Sequence, residues 1–405
     1  MTPWCGGSDA DQALARLADR TAGIRPIDAA EYQARRKRLV AAMGVAGVGA
    51  LTLDASRTLT YFTGVRWSGS ERLCGAVLTA SGAWTFVVPA FERGTFERLA
   101  GTEASILTWE EHEVPEAMVA RWLLDQGAMA KHLALDAETP FFRAERLRAS
   151  LPGDWRIGSA AALTDDLRSR KSDAEIALMQ RAFDITLTVQ RATATILRPG
   201  IATGDVAAFV DAAHKACGVA SGASFCIVLF GPDTAFPHGV DAPKVLEPGD
   251  TVLVDTGCVL ANYQSDLTRT YVFGPPTPQQ RRVWAHEREA QEVAFAAARL
   301  GAPCESVDDA VRRFLEQQGY GPHYRLPGLP HRTGHGLGLS IHEPPYFVRG
   351  DATPLREGMC LSIEPMLCIP DAFGVRLEDH IHMTADGPAW FTPPAASLDA
   401  PFDVA

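Results

Sequence analysis

The spacing of apolar residues predicts alternating helices and strands in the first part of the chain. Residues 29–43 (AAEYQARRKRLVAAM) have a helical pattern, and a short apolar run at residues 48–53 follows as a strand. Apolar runs at residues 76–78 and 85–88 predict two further strands. Helices that alternate with strands are typical of an α/β domain.

A capping-box signature marks a change of pattern near residue 170. The Ser172 hydroxyl can accept a hydrogen bond from a backbone amide while Glu175 bonds back to the start of the helix, and an apolar stripe follows at helical spacing. We therefore place a domain boundary just before this helix and predict two domains, residues 1–165 and residues 166–405.

The second domain mixes helices with strands less regularly. Three more helices are predicted from residues at their ends: residues 203–217, a helix that follows Thr277 with Pro278 at its first position, and residues 306–319. Strands are predicted between and after these helices, at residues 225–230, 251–255, 268–273, 360–363 and 375–383. This arrangement predicts an α+β domain with a mostly antiparallel sheet.

Composition and charge narrow the class of protein. The chain has 405 residues, 46% of them hydrophobic, and 38 Lys and Arg against 49 Asp and Glu give a net charge of −11. This balance argues against nucleic acid or an anionic membrane as a partner, because both attract basic surfaces. No apolar run reaches the roughly 20 residues that span a bilayer, and the N-terminus lacks the pattern of a secretion signal. We therefore expect a cytoplasmic protein, and the eight scattered cysteines, with no CxxC pair, predict reduced thiols.

Ionisable residues interrupt apolar strands in several short stretches of the second domain. They are LVDTG with Asp255, SDLTRT with Asp266, RTGHGLGLSIHEPP with His335 and His342, SIEP with Glu364, and VRLEDH with Arg376 and Glu378. A carboxylate on a strand that enters the interior is costly unless it is paired or bound to a metal. Several carboxylates converging on one core would repel one another strongly. Two divalent cations would balance the charge of four carboxylates.

The donor set narrows the choice of metal. Four carboxylates and one imidazole form an oxygen-rich site that suits Mn²⁺, Co²⁺ or a catalytic Zn²⁺ pair. Two such ions roughly 3.5 Å apart can share a hydroxide, which becomes a nucleophile near neutral pH. The glycines around His335 let the backbone pass close to a site or make a tight loop. We expect two divalent metal ions, with Mn²⁺ as the first choice and Co²⁺ or Zn²⁺ as alternatives.

The order Asp, Asp, His, Glu, Glu in these motifs resembles the metal-binding series of the pita-bread metallopeptidases. That family includes Xaa-Pro dipeptidases (prolidases), Xaa-Pro aminopeptidases, methionine aminopeptidases and creatinase. LTYFTGV at residues 59–65 and LRSRKSDAEIALMQRA at residues 167–182 are similar to the creatinase-like N-terminal domain and its link to the catalytic domain. The resemblance covers about residues 28–390. It implies an α/β creatinase-like domain followed by a pita-bread domain with a curved, mostly antiparallel sheet.

The resemblance also implies a role for each metal-site residue. Asp255 would bind the first metal ion, and Asp266 and Glu378 would bridge both ions. His335 and Glu364 would complete the ligands of the second metal ion. Glu364 would also carry the proton from the water nucleophile to the leaving nitrogen.

Three further residues match substrate-side positions of the same family. His342 matches a histidine that bonds the scissile carbonyl, His238 in FPHGV matches one that seats the substrate, and Arg376 matches an arginine at the edge of the site. Two departures leave the substrate length and pocket shape open. Gly239 follows His238 where some prolidases have Tyr, and Met366 stands where Gly is frequent.

The function implied is that of a dinuclear metallopeptidase, a prolidase that hydrolyses the Xaa-Pro bond of dipeptides and forms a homodimer. Methionine aminopeptidases usually lack the N-terminal domain, which favours the proline-specific branch. An Xaa-Pro aminopeptidase that acts on longer peptides and a metal-dependent dimethylsulfoniopropionate lyase share the scaffold and stay open, as does a metal-free binding protein. LVDTG is also typical of aspartic proteases, but the sequence has no second Asp-Thr/Ser-Gly to complete such a site.

Overall fold

The chain forms two compact units in a computed structural model that describes residues 5–101, 104–127, 130–240 and 242–402. The smaller unit contains residues 27–168, and the larger unit contains residue 169 onwards. The division therefore falls three residues after the end of the first predicted domain.

The N-terminal segment belongs to the larger unit, which differs from the predicted assignment of residues 1–165 to one domain. Helix α1 (Ala10–Ala15) lies in this segment. The Gly6 amide donates to the Ala194 carbonyl at 2.9 Å, and the Arg20 amide donates to the Cys217 carbonyl at 3.0 Å. Ala13 is buried in the same apolar core as these partners. Backbone pairing and apolar burial thus attach the segment to helices far away in sequence.

The smaller unit is an α/β domain built on one sheet, as predicted. Its strands are β1 (Ala50–Leu53), β2 (Gly75–Thr79), β3 (Trp84–Pro89), β4 (Ile106–Trp109), β5 (His132–Leu135) and β6 (Arg156–Ser159), in the order β4-β3-β2-β1-β5-β6. The pairs β1–β2 and β2–β3 are antiparallel, and the other pairs are parallel. Its helices are α2 (Ala29–Ala46), α3 (Arg57–Thr63), α4 (Arg93–Ala100), α5 (Pro115–Asp125), α6 (Phe141–Ser150) and α7 (Ala161–Ser169), with a 3₁₀ turn at Ala90–Glu92.

The larger unit combines helices with antiparallel strands, which confirms the predicted α+β class. Its long helices are α8 (Asp173–Thr195), α9 (Thr203–Ala216), α10 (Pro278–Ala297) and α11 (Glu305–Gln317), with a 3₁₀ turn at Gly231–Ala235. Its strands are β7 (Ala223–Phe230), β8 (Thr251–Leu260), β9 (Tyr263–Gln264), β10 (Leu267–Val272), β11 (Gly334–Gly336), β12 (Glu343–Phe347), β13 (Cys360–Ile363), β14 (Met366–Ile369), β15 (Phe373–Arg376), β16 (Asp379–Thr384) and β17 (Gly387–Trp390).

These strands form three hydrogen-bonded sheets over one apolar core. The orders are β10-β8-β7, with β9 on β8, then β12-β11-β13-β16-β17, and the pair β14-β15. All of these described pairings are antiparallel. Leu253, Leu361 and Ile381 from different sheets belong to the same buried cluster. None of the helices in the described residues is long and apolar enough to cross a membrane.

Helix ends follow the capping signals in two of three cases. The capping boxes of Ser172 with Glu175 and of Thr277 with Gln280 are both formed. The third helix begins at Glu305, one residue before the predicted Ser306, and no side chain caps it. The Ser306 hydroxyl instead donates to the Pro303 carbonyl at 2.6 Å.

The predicted strand at residues 375–383 is wrong in one respect that shapes the site. β15 ends at Arg376 and β16 begins at Asp379, so Leu377 and Glu378 lie between the two strands. Glu378 instead forms an isolated antiparallel bridge with Thr268 on β10. This break places a carboxylate from one sheet beside a strand of another.

Candidate metal centre

All of the predicted site residues line one cavity of about 280 Å³ in the larger unit. They are His238, Asp255, Asp266, His335, His342, Glu364, Arg376 and Glu378, and no predicted residue lies elsewhere. The cavity wall also includes apolar side chains, among them Phe225, Ile227 and Ile341. The fold therefore brings together residues that are up to 140 positions apart in the sequence.

The two aspartates come from neighbouring strands. Asp255 lies on β8 opposite Thr268 on β10, and Asp266 directly precedes β10. The buried Gln190 of α8 donates to the carbonyls of Val254 and Leu267, each at 2.9 Å. Because these carbonyls flank Asp255 and Asp266, one amide group fixes both backbones.

The two glutamates are arranged in the same way on another pair of strands. Glu364 directly follows β13, Glu378 lies one residue before β16, and Ile363 pairs with Asp379. The Gln291 amide of α10 lies 3.5 Å from the Ile363 carbonyl and 3.4 Å from the Leu377 carbonyl. These are long hydrogen bonds, but they hold the two residues that precede the glutamates.

His335 directs one ring nitrogen at the carboxylates. Its Nδ1 lies 3.0 Å from the Gly336 carbonyl, which can only accept, so Nδ1 carries the proton. Its Nε2 lies 3.1 Å from a Glu364 oxygen, 3.8 Å from Asp266 and 4.0 Å from Glu378. Nε2 is therefore the ring nitrogen that faces the three carboxylates, and it is placed to bind a cation held among them.

The glycines beside His335 allow this approach. A Cβ at Gly334 would overlap the Ser362 carbonyl of β13, and a Cβ at Gly336 would overlap the Glu343 carbonyl. The motif therefore lets β11 pass close to the backbones on both sides, which is one of the two roles predicted for these glycines.

The carboxylates are buried with oxygens left unsatisfied. Asp255 Oδ1, Asp266 Oδ1 and Glu378 Oε1 are buried and have no hydrogen-bond partner. Burial and the neighbouring carboxylates raise the pKa of Asp266 and of Glu378 well above their usual values. Burial would also raise the pKa of Glu364, but His335, His331 and Arg376 hold it below its usual range. Divalent cations would satisfy these oxygens, so the residues fit the metal ions that the motifs predict.

Arg376 already compensates part of the negative charge. Its Nη2 lies 2.5 Å from Asp255 Oδ2, and its Nε donates to the Thr268 hydroxyl at 3.1 Å. Burial would lower the pKa of Arg376, but Asp255, Glu378 and Glu364 raise it, so the guanidinium stays charged. Arg376 thus contacts a predicted metal ligand directly, rather than lying only at the edge of the site.

Two histidines face the cavity beside the metal centre. The His342 ring lies 4.3 Å from the His335 ring, centroid to centroid. Partial desolvation in the cavity, followed by the charge of His335, lowers the pKa of His342 to about 4. His342 is therefore neutral near pH 7. His238 and His342 are both exposed at the cavity. His238 follows the 3₁₀ turn, and the carbonyl of its neighbour Pro237 accepts from Arg376 at 2.9 Å.

Three polar residues of the site were not predicted. His331 and Arg332 line the cavity, and the spacing of His331 four residues before His335 was a signal for the first of them. His380 lies in the metal centre itself: Asp266, His335, Glu378 and His380 each offer a ligand atom, and these atoms lie within 4.8 Å of one another. In the strand predicted at residues 375–383, His380 shares a face with Glu378, and this alternation was the available signal.

Replacing Asp266 separates the electrostatic cost of the site from its metal binding. In excess chelator, we expect Asp266→Asn to raise Tm by about 2–4 °C, the shift for roughly 1 kcal/mol in a unit of this size, because the amide removes carboxylate repulsion. With excess metal the order reverses, because only the wild-type protein gains full binding energy. Thermal unfolding in chelator and in excess metal measures the two Tm differences. Asp386→Asn, at an exposed position, is the matched control for the loss of one negative charge.

Acidification tests the same electrostatic argument. The raised pKa of Asp266 means that the folded protein binds this proton more tightly than the unfolded chain, whose value is near 3.8. Without metal, protonation of Asp266 therefore adds to the stability of the wild-type protein as the pH falls from 7 towards 4, and Asp266→Asn lacks this contribution. We expect the Tm advantage of Asp266→Asn in chelator to shrink over that range. An advantage that is constant or grows would contradict repulsion as its cause.

Comparisons with known proteins agree with this geometry. Residues 177–385 match the profile of metallopeptidase family M24, and residues 35–170 match the creatinase/prolidase N-terminal domain. The putative dipeptidase YkvY of Bacillus subtilis is 32% identical over 354 residues, 87% of this chain and 96% of the relative. The Xaa-Pro dipeptidase of Pyrococcus horikoshii is 30% identical over 87% of this chain and 94% of its own length.

A solved structure shows the same fold. The crystal structure of dipeptidase PepE from Mycobacterium ulcerans matches with a TM-score of 0.84 and 33% identity, covering 91% of this chain and 97% of that one. These matches confirm the predicted pita-bread architecture and the predicted hydrolase activity. The chain belongs to metallopeptidase family M24, with a creatinase/prolidase N-terminal domain before the catalytic domain, as its motifs indicated.

Proposed function

We propose that the protein is an Xaa-Pro dipeptidase that uses two divalent metal ions. The observation that carries the proposal is the convergence of four carboxylates, His335 and three substrate-side groups on one cavity, with buried oxygens left unsatisfied. Relatives named dipeptidase and Xaa-Pro dipeptidase support the substrate class. We also propose a cytoplasmic homodimer.

Five side chains would hold the metal ions, in the roles that the family pattern implies. Asp255 would bind the first ion, Asp266 and Glu378 would bridge, and His335 and Glu364 would bind the second ion. When bound, the ions supply positive charge that polarises the scissile carbonyl and activates water near neutral pH. For the ions we propose Mn²⁺, with Co²⁺ and Zn²⁺ as alternatives, since oxygen donors predominate.

The proposed roles of Glu364 and His342 depend on their charge states. The pKa of Glu364 is held low by His335, His331 and Arg376 against the effect of burial, so its carboxylate is ionised near pH 7, the form that binds a cation. We propose that Glu364 also carries the proton to the leaving nitrogen. The pKa of His342, lowered to about 4 by partial desolvation and His335, leaves a neutral ring at pH 7. A neutral imidazole can donate one N–H to the oxygen that gains charge during hydrolysis.

The cavity favours a short peptide that contains proline. Its volume of about 280 Å³ lies at the lower end for small-molecule sites. Phe225, Ile227 and Ile341 provide apolar surface for a pyrrolidine ring. The Xaa-Pro bond is a tertiary amide without N–H, so the site needs no acceptor for that hydrogen. Access to the carbonyl and a proton for the ring nitrogen are sufficient.

Arg332 provides a cation for the free carboxylate of a dipeptide. It lines the cavity, its guanidinium lies 4.5 Å above the Tyr346 ring, and it forms no ion pair among the described residues. The other cavity arginine, Arg376, is already paired with Asp255. A dipeptide places its C-terminal carboxylate one residue from the scissile bond, whereas a longer peptide has an amide there. Arg332 therefore favours dipeptides over longer substrates.

Hydrolysis assays on metal-stripped protein test the proposal, with Leu-Pro, Leu-Ala, Leu-Pro-Gly and dimethylsulfoniopropionate compared before and after Mn²⁺ is added. We expect metal-dependent release of proline from Leu-Pro, with Leu-Ala and the tripeptide much slower. Faster cleavage of Leu-Pro-Gly would make the protein an aminopeptidase, and sulfide release alone would make it a lyase. No turnover of any substrate, with metal shown to be bound, would contradict the proposed substrate class.

A substrate comparison isolates the role of Arg332. We expect Arg332→Gln to lower kcat/KM for Leu-Pro by about 10–100-fold, mainly through KM, since a hydrogen bond to a charged group contributes about 1.5–3 kcal/mol. The variant should hardly change kcat/KM for Leu-Pro-amide, which has no carboxylate.

Two controls accompany this prediction. Arg349→Gln removes an exposed arginine that pairs with Asp309 outside the cavity, and it should change neither substrate. His342→Ala should lower kcat on both substrates by about 10²–10³-fold, because it removes the proposed oxyanion donor. If Arg332→Gln affects the acid and the amide equally, Arg332 does not bind the carboxylate.

A further inference from the structure

His380 is a fully buried histidine that the proposed reaction does not use. It lies on β16 opposite Ser362 of β13. The Ser362 hydroxyl accepts from the His335 amide of β11 at 2.8 Å. His335, Ser362 and His380 therefore form a row across three adjacent strands, and the rings of His335 and His380 are 5.8 Å apart between centroids.

The surroundings of His380 leave its ring nitrogens without normal hydrogen bonds. The Phe183 ring lies 5.0 Å away, centroid to centroid, and packs in turn on Phe391. The ring also lies near the Asp266 backbone, but neither Nδ1 nor Nε2 forms a hydrogen bond of normal geometry. A buried imidazole without a partner is costly. The His380 imidazole therefore needs a partner in this position.

The nearest unsatisfied groups belong to the metal centre. A nitrogen of His380 lies within 4.8 Å of ligand atoms from Asp266, His335 and Glu378, and these atoms all lie within that distance of one another. Oδ1 of Asp266 and Oε1 of Glu378 are buried and unpartnered as well. One cation among the four residues would satisfy three groups that otherwise have no partner.

We infer that His380 is an additional nitrogen ligand of the metal ion held by His335, and that it makes this position select Co²⁺ or Zn²⁺ over Mn²⁺. The inference rests on the ligand set proposed above. Imidazole suits Co²⁺ and Zn²⁺ better than Mn²⁺, whereas carboxylates suit Mn²⁺. The position at Asp255 has only oxygen donors and keeps the Mn²⁺ proposed above, whereas at the His335 position one of the alternatives, Co²⁺ or Zn²⁺, takes its place. The two positions of the centre therefore differ in metal preference.

X-ray absorption spectroscopy at the zinc edge tests ligation without using activity. Metal-free protein is loaded with one equivalent of Zn²⁺, and the outer-shell scattering counts the imidazoles bound to the ion. We expect two imidazoles in the wild-type protein and one in His380→Phe, which keeps an aromatic ring against Phe183. His382→Phe is the matched control, because His382 lies two residues further along β16 with its ring 4.9 Å from Phe391.

Metal competition tests selectivity on the same proteins. Metal-free protein is incubated with a limiting equimolar mixture of Mn²⁺ and Zn²⁺, and the bound metals are measured by mass spectrometry. We expect His380→Phe to lower the Zn²⁺-to-Mn²⁺ ratio by at least about tenfold. Loss of a residue that only hydrogen-bonds a metal ligand already weakens metal binding by about that factor. His382→Phe should leave the ratio unchanged.

The outcomes separate this inference from the proposed ligand set. One imidazole in the wild-type spectrum, or an unchanged metal ratio in His380→Phe, would overturn the role of His380 while leaving the other ligands in place. Failure of the wild-type protein to bind Zn²⁺ at all would overturn the ligand set as well. The wild-type spectrum decides the question even if His380→Phe does not fold.

Discussion

Mutual repulsion among buried carboxylates is the constraint on which the catalytic unit depends. Asp255, Asp266, Glu364 and Glu378 line one cavity, and removing several negative charges from water together is costly. Arg376 relieves part of this cost by pairing with Asp255, and the unsatisfied oxygens that are left are suited to cations.

The backbone restraint takes a similar form on both sides of the cavity. A glutamine from α8 bonds the carbonyls beside the two aspartates, and a glutamine from α10 approaches the carbonyls before the two glutamates. A buried ion pair strengthens the second side, because Arg269 donates to Asp379 at 2.7 Å and to the Glu378 carbonyl at 3.0 Å. Each pair of carboxylates thus lies on, or directly beside, two antiparallel strands that a helix holds in register. Such a site is organised before any substrate arrives.

Most of the site could be predicted from sequence because its chemistry interrupts a clear pattern. A carboxylate at the end of an apolar strand, as in LVDTG or SIEP, contrasts with its surroundings, and caps such as Ser172 with Glu175 are local signals. His331 and Arg332 gave weaker signals, because a polar residue in a loop is ordinary. His380 was missed because one histidine in a strand usually belongs to the core. Its significance depends on β13, which pairs with its strand, and on β11 on the far side of β13, and these strands come together only in the folded chain.

Features that depend on long-range pairing could also not be predicted from the sequence. The break at Leu377 and Glu378 follows from the bridge between Glu378 and Thr268, which joins residues 110 positions apart. The N-terminal segment attaches to the larger unit through backbone bonds to Ala194 and Cys217, and no local pattern predicts such partners. Local signals defined the elements, whereas tertiary pairing decided where two of them end and to which unit one belongs.

Anomalous diffraction from crystals of the metal-loaded protein would show whether the carboxylates of the cavity hold two ions. We expect two metal ions, roughly 3.5 Å apart, in contact with Asp255, Asp266, His335, Glu364 and Glu378. A single ion, no ion, or ions bound away from these side chains would contradict this expectation.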